Sequence, residues 1–205
     1  MRGSRERSRI FPYLRDKLSV NRLYHGWLVV AAIFTTGGLI IGSSQYAFGA
    51  FVEPLERDLG WTRTQINLSL SFAALSSLIA PILGRLIDRY GSRPVMVVSL
   101  LLFSASFLLR PFMTELWHWY ALSAIQFIAF PGAVFLPVGK LVGLWFQETR
   151  GRVMGITAMG NNVGGLILAP MAGFLVGFAS WGWTFASIGF IGLLITAFVF
   201  FVVRD

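Results

Sequence analysis

Chemistry in this chain has to come from a few polar residues set in apolar surroundings. Gln45, Tyr46, Gln126, Lys140, Asn161 and Asn162 all stand inside long hydrophobic runs. Uncharged hydrogen-bonding groups held away from water can orient a small solute. They can equally bond one helix to another, and both readings stay open for each residue. Asn162 is preferred over Asn161, because it lies one turn from Ala158 and close to the face of Gly151 and Gly155. Lys140 could hold a carboxylate. At about 1.5 Å per residue it sits about one and a half turns from Trp145, within snorkelling reach of an interface, and simple snorkelling is the plainer reading. It is the one Lys or Arg this reading places inside a run. No Asp or Glu stands mid-run; Glu53, beside Pro54, reads as an interfacial residue.

Other chemistries are excluded by type and spacing. There is no H-E-x-x-H, no G-x-S-x-G and no pair of acids within a run, so nothing points to an enzyme. The chain has no Cys and two His, so no thiolate or imidazole metal site is expected, and no cofactor.

The second concentration of chemistry is Gly84-Arg85-Leu86-Ile87-Asp88-Arg89-Tyr90-Gly91-Ser92-Arg93-Pro94. It packs charges and two glycines between two long apolar stretches, which places it where water meets hydrocarbon. Gly91 suits a helix C-terminus that needs positive φ. Ser92 could cap the next helix, with Pro94 in its first turn.

The elements that position these residues follow from composition. Of 205 residues, 56% are hydrophobic and 13% charged, against about 25% charged in a soluble domain. That is the membrane class. A net charge of +8 would suggest nucleic acid in a soluble protein. Here the basic residues lie in tails and loops and set topology, so no nucleic acid is expected.

A basic head, 1–25, precedes a run too long for a signal peptide, and its interleaved Ile10, Phe11, Leu14 and Leu18 suit the anionic cytoplasmic leaflet. Spans are expected at about 26–52, 63–87, 94–113, 117–144, 152–177 and 182–203, each near the about 20 residues that cross hydrocarbon. Thr62 with Gln65 reads as a capping box, and Trp61 with Ile66 as a hydrophobic staple. Pro131 and Pro137 bend the fourth span and free carbonyls that need protein or water nearby. Arg110, Pro111 and Glu115, with Trp117, Trp119 and Tyr120, read as an interfacial loop. Gly151/Gly155 and Gly160/Gly164 are small-xxx-small pairs for close helix approach. With the N-terminus in the cytoplasm, fourteen Lys and Arg fall inside and three outside, which puts both termini in the cytoplasm.

The pattern G-x-L-x-D-R-x-G-x-R, between the second and third of six spans, resembles the signature loop of major facilitator superfamily transporters. Two further features resemble the monocarboxylate and oxalate–formate transporter group. One is His25-Gly26-Trp27 opening the first span, with Gly60-Trp61-Thr62-Arg63 before the second. The other is Trp145-Phe146, then Arg150-Gly151, Gly155, Gly160 and Gly164. The resemblance covers residues 24–205.

It implies an all-α membrane protein: six transmembrane helices forming one bundle, two inverted three-helix repeats, of a major facilitator fold. The partner would be a second six-helix bundle, on a missing C-terminal half or a partner chain, and the setting the bilayer of a plasma (inner) membrane. The first and fourth helices, and more distantly the second and fifth, would line the cavity, with the third and sixth against lipid. Gly84, Asp88, Arg89, Gly91 and Arg93 would form the gating loop. Gly84 would allow close approach of the other bundle, and Asp88 would pair with Arg89, Arg93 or a helix N-terminus across the interface. Some monocarboxylate transporters carry a Lys in the first helix, and this chain has none there. The implied function is secondary transport of a small organic anion such as a monocarboxylate by alternating access. The alternatives are a truncated or partner-dependent six-span protein without independent transport, or half of a drug–proton antiporter, whose G-P-x-x-G signature Ala169-Pro170-Met171-Ala172-Gly173 partly resembles.

Overall fold

The long apolar stretches are helical, which satisfies their backbone where water is absent. In a computed structural model the structure describes residues 25–203; positions 1–24 of the basic head, and Arg204 and Asp205, lie outside the described residues. Among the described residues six helices are long and apolar enough to cross a membrane: α1 (His25–Tyr46), α3 (Arg63–Tyr90), α4 (Ser92–Phe112), α5 (Leu116–Trp145), α6 (Arg150–Phe178) and α7 (Trp181–Val202). A shorter helix, α2 (Gly49–Leu59), lies between the first two. No strand occurs among the described residues.

Local chemistry sets the irregularities. The first apolar run is not one helix: α1 ends in a π-turn, Gly42–Tyr46, and α2 begins at Gly49. Ser43 Oγ donates back to the Leu39 carbonyl at 2.6 Å. Such back-bonding, beside a glycine, loosens the helical ladder. In α5, Pro131 cannot donate, and the helix widens into a second π-turn at Pro131–Phe135. α3 starts on the expected capping box: the Gln65 amide N–H donates to Thr62 Oγ1 at 3.3 Å, and the Thr62 N–H to Gln65 Oε1 at 2.9 Å. Trp61 and Ile66, the staple pair, are both buried.

The core is aromatic at one end of the bundle. Phe51 of α2 stacks on Phe185 of α7 at 4.0 Å between centroids, and Phe107 and Trp119 approach the same ring. α4 and α7 cross closely, because Gly189 and Gly192 lie against Leu108 and Ser104.

Burial is uneven. In the most apolar window of each span, α1 is 72% and α5 61% buried, whereas α3 is 11% and α6 17%. The second and fifth spans are thus the barest, and they carry Leu78, Ile82, Leu166 and Phe174 facing outward.

Candidate functional site

At the end of the bundle holding the α3–α4 loop, Gly91 ends α3. Its φ of 92° and ψ of 168° lie in a region open essentially to glycine alone. Its N–H donates to the Ile87 carbonyl at 2.9 Å. The same carbonyl accepts from Lys140 Nζ, also at 2.9 Å, so a cation from α5 meets the negative end of the α3 dipole. Lys140 Nζ also lies 3.8 Å from the exposed Asp88 carboxylate. The sequence allows Lys140 as a substrate cation and Asp88 as a partner of Arg89 or Arg93; the structure brings Lys140 to the loop. The guanidiniums of those arginines lie on aromatic rings, Arg89 at 5.3 Å from Tyr90 and Arg93 at 4.5 Å from Phe200 of α7. Gly91, not Ser92, takes the N-cap position of α4, and Ser92 is its first residue. A side chain added at Gly84 would meet nothing within 4 Å.

The two stretches behind the branch resemblance touch at this end. His25 lies 5.2 Å from Trp145 and Trp27 lies edge-on to Phe146 at 5.5 Å. Gly26 sits under Phe146.

Deeper in the bundle, α1 and α6 cross on glycine. A Cβ on Gly160 would come within 2.6 Å of the Phe34 carbonyl, and one on Gly164 would collide with Gly38. Gly151 and Gly155 have open space instead, so only the second small-xxx-small pair serves this crossing. The close approach brings Tyr46 over Gly165, and its hydroxyl donates to Asn162 Oδ1 at 3.0 Å. Gln45, Tyr46 and Asn162 are all exposed. Asn161 packs its carbonyl against Gly37 and lines a cavity of about 270 Å³ with Val134, Val138, Thr157 and Ala158. A larger cavity, about 600 Å³, opens between Pro111, Phe112, Trp181 and Trp183, away from all of these residues.

Gln126 does not join them. It is 3% exposed, its Oε1 accepts from Arg110 Nη2, and its Nε2 donates to Ser44 Oγ at 2.8 Å. Arg110 itself corrects the reading of an interfacial loop. It belongs to α4, is 4% exposed, and lies among the rings of Phe107, Trp119 and Phe185, whose centroids are 4.4, 4.6 and 4.8 Å from its Cζ. Lys140 is therefore not the one cation within a span. A signal for this existed: Arg110 follows buried Phe103 by seven residues and Phe107 by three, on one helical face. Pro111 and the aromatics beyond it masked that pattern.

A bundle of six spans, broken by π-turns in the first and fourth and carrying a charged glycine loop at one end, fits a membrane carrier. Comparison with known proteins narrows it. The family model of the Major Facilitator Superfamily matches residues 11–205, and the chain belongs to that superfamily. It is 30% identical over 178 residues to monocarboxylate transporter 11 of Homo sapiens, covering 83% of this chain and 36% of that protein. It is 31% identical over 172 residues to monocarboxylate transporter 3 of Mus musculus, covering 83% and 34%. To the class H tetracycline resistance protein of Pasteurella multocida it is 37% identical over 134 residues, covering 63% and 32%. The chain spans about a third of the length of these relatives. It is an integral membrane protein of a transporter family, and these relatives are named for transport or drug resistance rather than for catalysis.

Proposed function

We propose that the chain is the first six-helix half of a secondary transporter that moves a small organic anion, such as a monocarboxylate, by alternating access. The family match and the two monocarboxylate transporters among the relatives carry this reading; α3 and α6 keep only 11% and 17% of their apolar windows covered, a surface that lipid or a second bundle can cover. That bundle belongs either to the same polypeptide or to a partner chain. Both termini lie in the cytoplasm of a plasma membrane, and the 1–25 head and 26–205 bundle are the two units.

In this reading Gln45, Tyr46, Asn161 and Asn162 face the solute. Tyr46 and Asn162 hold each other in place between α1 and α6. Gly84, Asp88, Arg89, Gly91 and Arg93 form the cytoplasmic gate, with Lys140 holding the end of α3. Gly84 leaves room for a helix of the other bundle. The anion class rests on the two monocarboxylate transporters among the relatives. Half of a drug–proton antiporter is the second reading, favoured by the tetracycline resistance relative and by Pro170 within α6.

The test is gradient-driven uptake of lactate-sized carboxylates into proteoliposomes made with the native product. Asn162→Ala and Tyr46→Phe each lose the contact between α1 and α6. Both are expected to lower uptake about tenfold, the scale of one hydrogen bond to a bound solute. Uptake of carboxylates that is unchanged in both variants refutes the site, and uptake of cationic drugs in its place selects the second reading.

A further inference from the structure

We propose that Arg110 anchors a binding site for a single halide-sized anion, separate from the solute path. The guanidinium is 4% exposed, and no carboxylate lies within 4 Å of it among the described residues. An ionised group taken out of water at this depth needs a compensating partner. Gln126 offers one neutral oxygen. Three aromatic faces add cation–π attraction but carry no net charge.

Beside the guanidinium lies a cavity whose polar lining is Ser43, Ser44, Ser69, Ser123, Gln126 and Arg110; the rest of its wall is apolar. Two buried groups at it have no protein partner: Arg110 Nε and Ser123 Oγ. The first can only donate and the second can donate. A fixed positive charge with two free donors and no acid is the arrangement that binds an anion. Water would satisfy the donors and leave the charge uncompensated. Size decides which anion. The cavity is about 10 Å³, the room for about one water-sized sphere. A monatomic halide is somewhat larger than a water and enters only if the walls yield slightly, whereas a carboxylate or phosphate, with several heavy atoms, does not enter. The site joins Ser43 and Ser44 of the α1 π-turn to α3, α4 and α5, so an ion there braces the broken part of α1 from behind.

The test uses the whole chain in lipid nanodiscs, with chloride or bromide exchanged against gluconate at constant ionic strength. Chloride is expected to raise the unfolding midpoint saturably, by about 2–4 °C. Bromide is expected to quench Trp119, whose ring lies 4.6 Å from the guanidinium carbon, with a saturable component that Trp119→Phe removes. Arg110→Gln abolishes both responses. Because loss of that side chain could also prevent folding, Ser123→Ala provides the independent variant; it keeps the charge, removes one donor and weakens halide affinity about five- to tenfold. Equal midpoints in chloride and gluconate with linear quenching would mean that water alone occupies the cavity, and would overturn the proposal. So would a halide response left unchanged in Ser123→Ala.

Discussion

The contact between Lys140 and the end of α3 invites description as an ion pair with Asp88. The geometry says otherwise, and the difference is measurable. Lys140 Nζ is 2.9 Å from the Ile87 carbonyl and 3.8 Å from Asp88 Oδ1. The Asp88 side chain is 83% exposed and that of Lys140 35%. An exposed pair at such a distance contributes about 0–1 kcal/mol. A charged donor on a helix C-terminal carbonyl contributes about 1.5–3 kcal/mol as a hydrogen bond, and about 0.3–1 kcal/mol more from the dipole. Partial exposure of the lysine brings the sum down to about 2 kcal/mol. Removing the lysine does not orphan the carbonyl, because the Gly91 N–H still donates to it. Lys140→Met should therefore destabilise the bundle by about 2 kcal/mol, and Asp88→Asn by less than about 0.5 kcal/mol. The double-mutant coupling should also stay below about 0.5 kcal/mol. Unfolding by SDS titration in mixed micelles reads all three variants. Coupling above about 1.5 kcal/mol would show that the ion pair, and not the carbonyl cap, holds the end of α3.

Three further outcomes follow from the same structure. Gly164→Ala places a Cβ into the Gly38 backbone and should cost about 1–3 kcal/mol; Gly155→Ala, with open space around it, should stay within about 0.5 kcal/mol in the same SDS titration. Gly91→Ala forces an L-residue to φ 92° and should cost about 1–3 kcal/mol, with faster amide exchange at the end of α3. The Arg57 guanidinium, and then Trp181 Nε1–H at 3.0 Å, hold the Asp58 carboxyl below its usual range. The tie between α2 and α7 is then intact above the ordinary Asp value of about 3.9 and lost only as pH falls through the lowered folded value. Trp181 emission should hold steady from about pH 7 to pH 4 and change below that; a change near pH 6 would contradict this.

What could be read from the sequence was what neighbours along the chain decide. Thr62 and Gln65 are three residues apart, and their reciprocal capping bonds formed as read. Pro131 lacks a donor wherever it is placed, and α5 widens there. Contacts between distant residues were less legible. Lys140 reaches Ile87 across 53 positions, Gln126 reaches Ser44 across 82, and Tyr46 reaches Asn162 across 116. None of these follows from periodicity, because each depends on which faces two helices present to each other. Arg110 failed for a different reason. A charge next to proline and tryptophans at the end of a span is the usual mark of an interface. The helical register from Phe103 and Phe107 pointed inward, and packing followed the register.

That failure bears on how polar residues in a span should be weighed. Gln126 and Asn162 look alike in the sequence: each is an amide within an apolar run. The structure separates them by what else each touches. Gln126 is engaged at both ends of its amide, by Arg110 and Ser44, in a buried pocket. Asn162 is exposed and accepts one hydrogen bond, from Tyr46. A residue already occupied on both sides by protein is costly to recruit for a passing solute, since each exchanged contact leaves a buried donor or acceptor behind. An exposed amide held by a single neighbour can turn to a ligand without that cost. Gln126→Ala should accordingly impair folding before it impairs transport, leaving Arg110 with no acceptor, whereas Asn162→Ala should fold normally and lose uptake. Reversal of that order, with folded Gln126→Ala protein unable to bind solute, would place the solute against α4 and α5 rather than between α1 and α6.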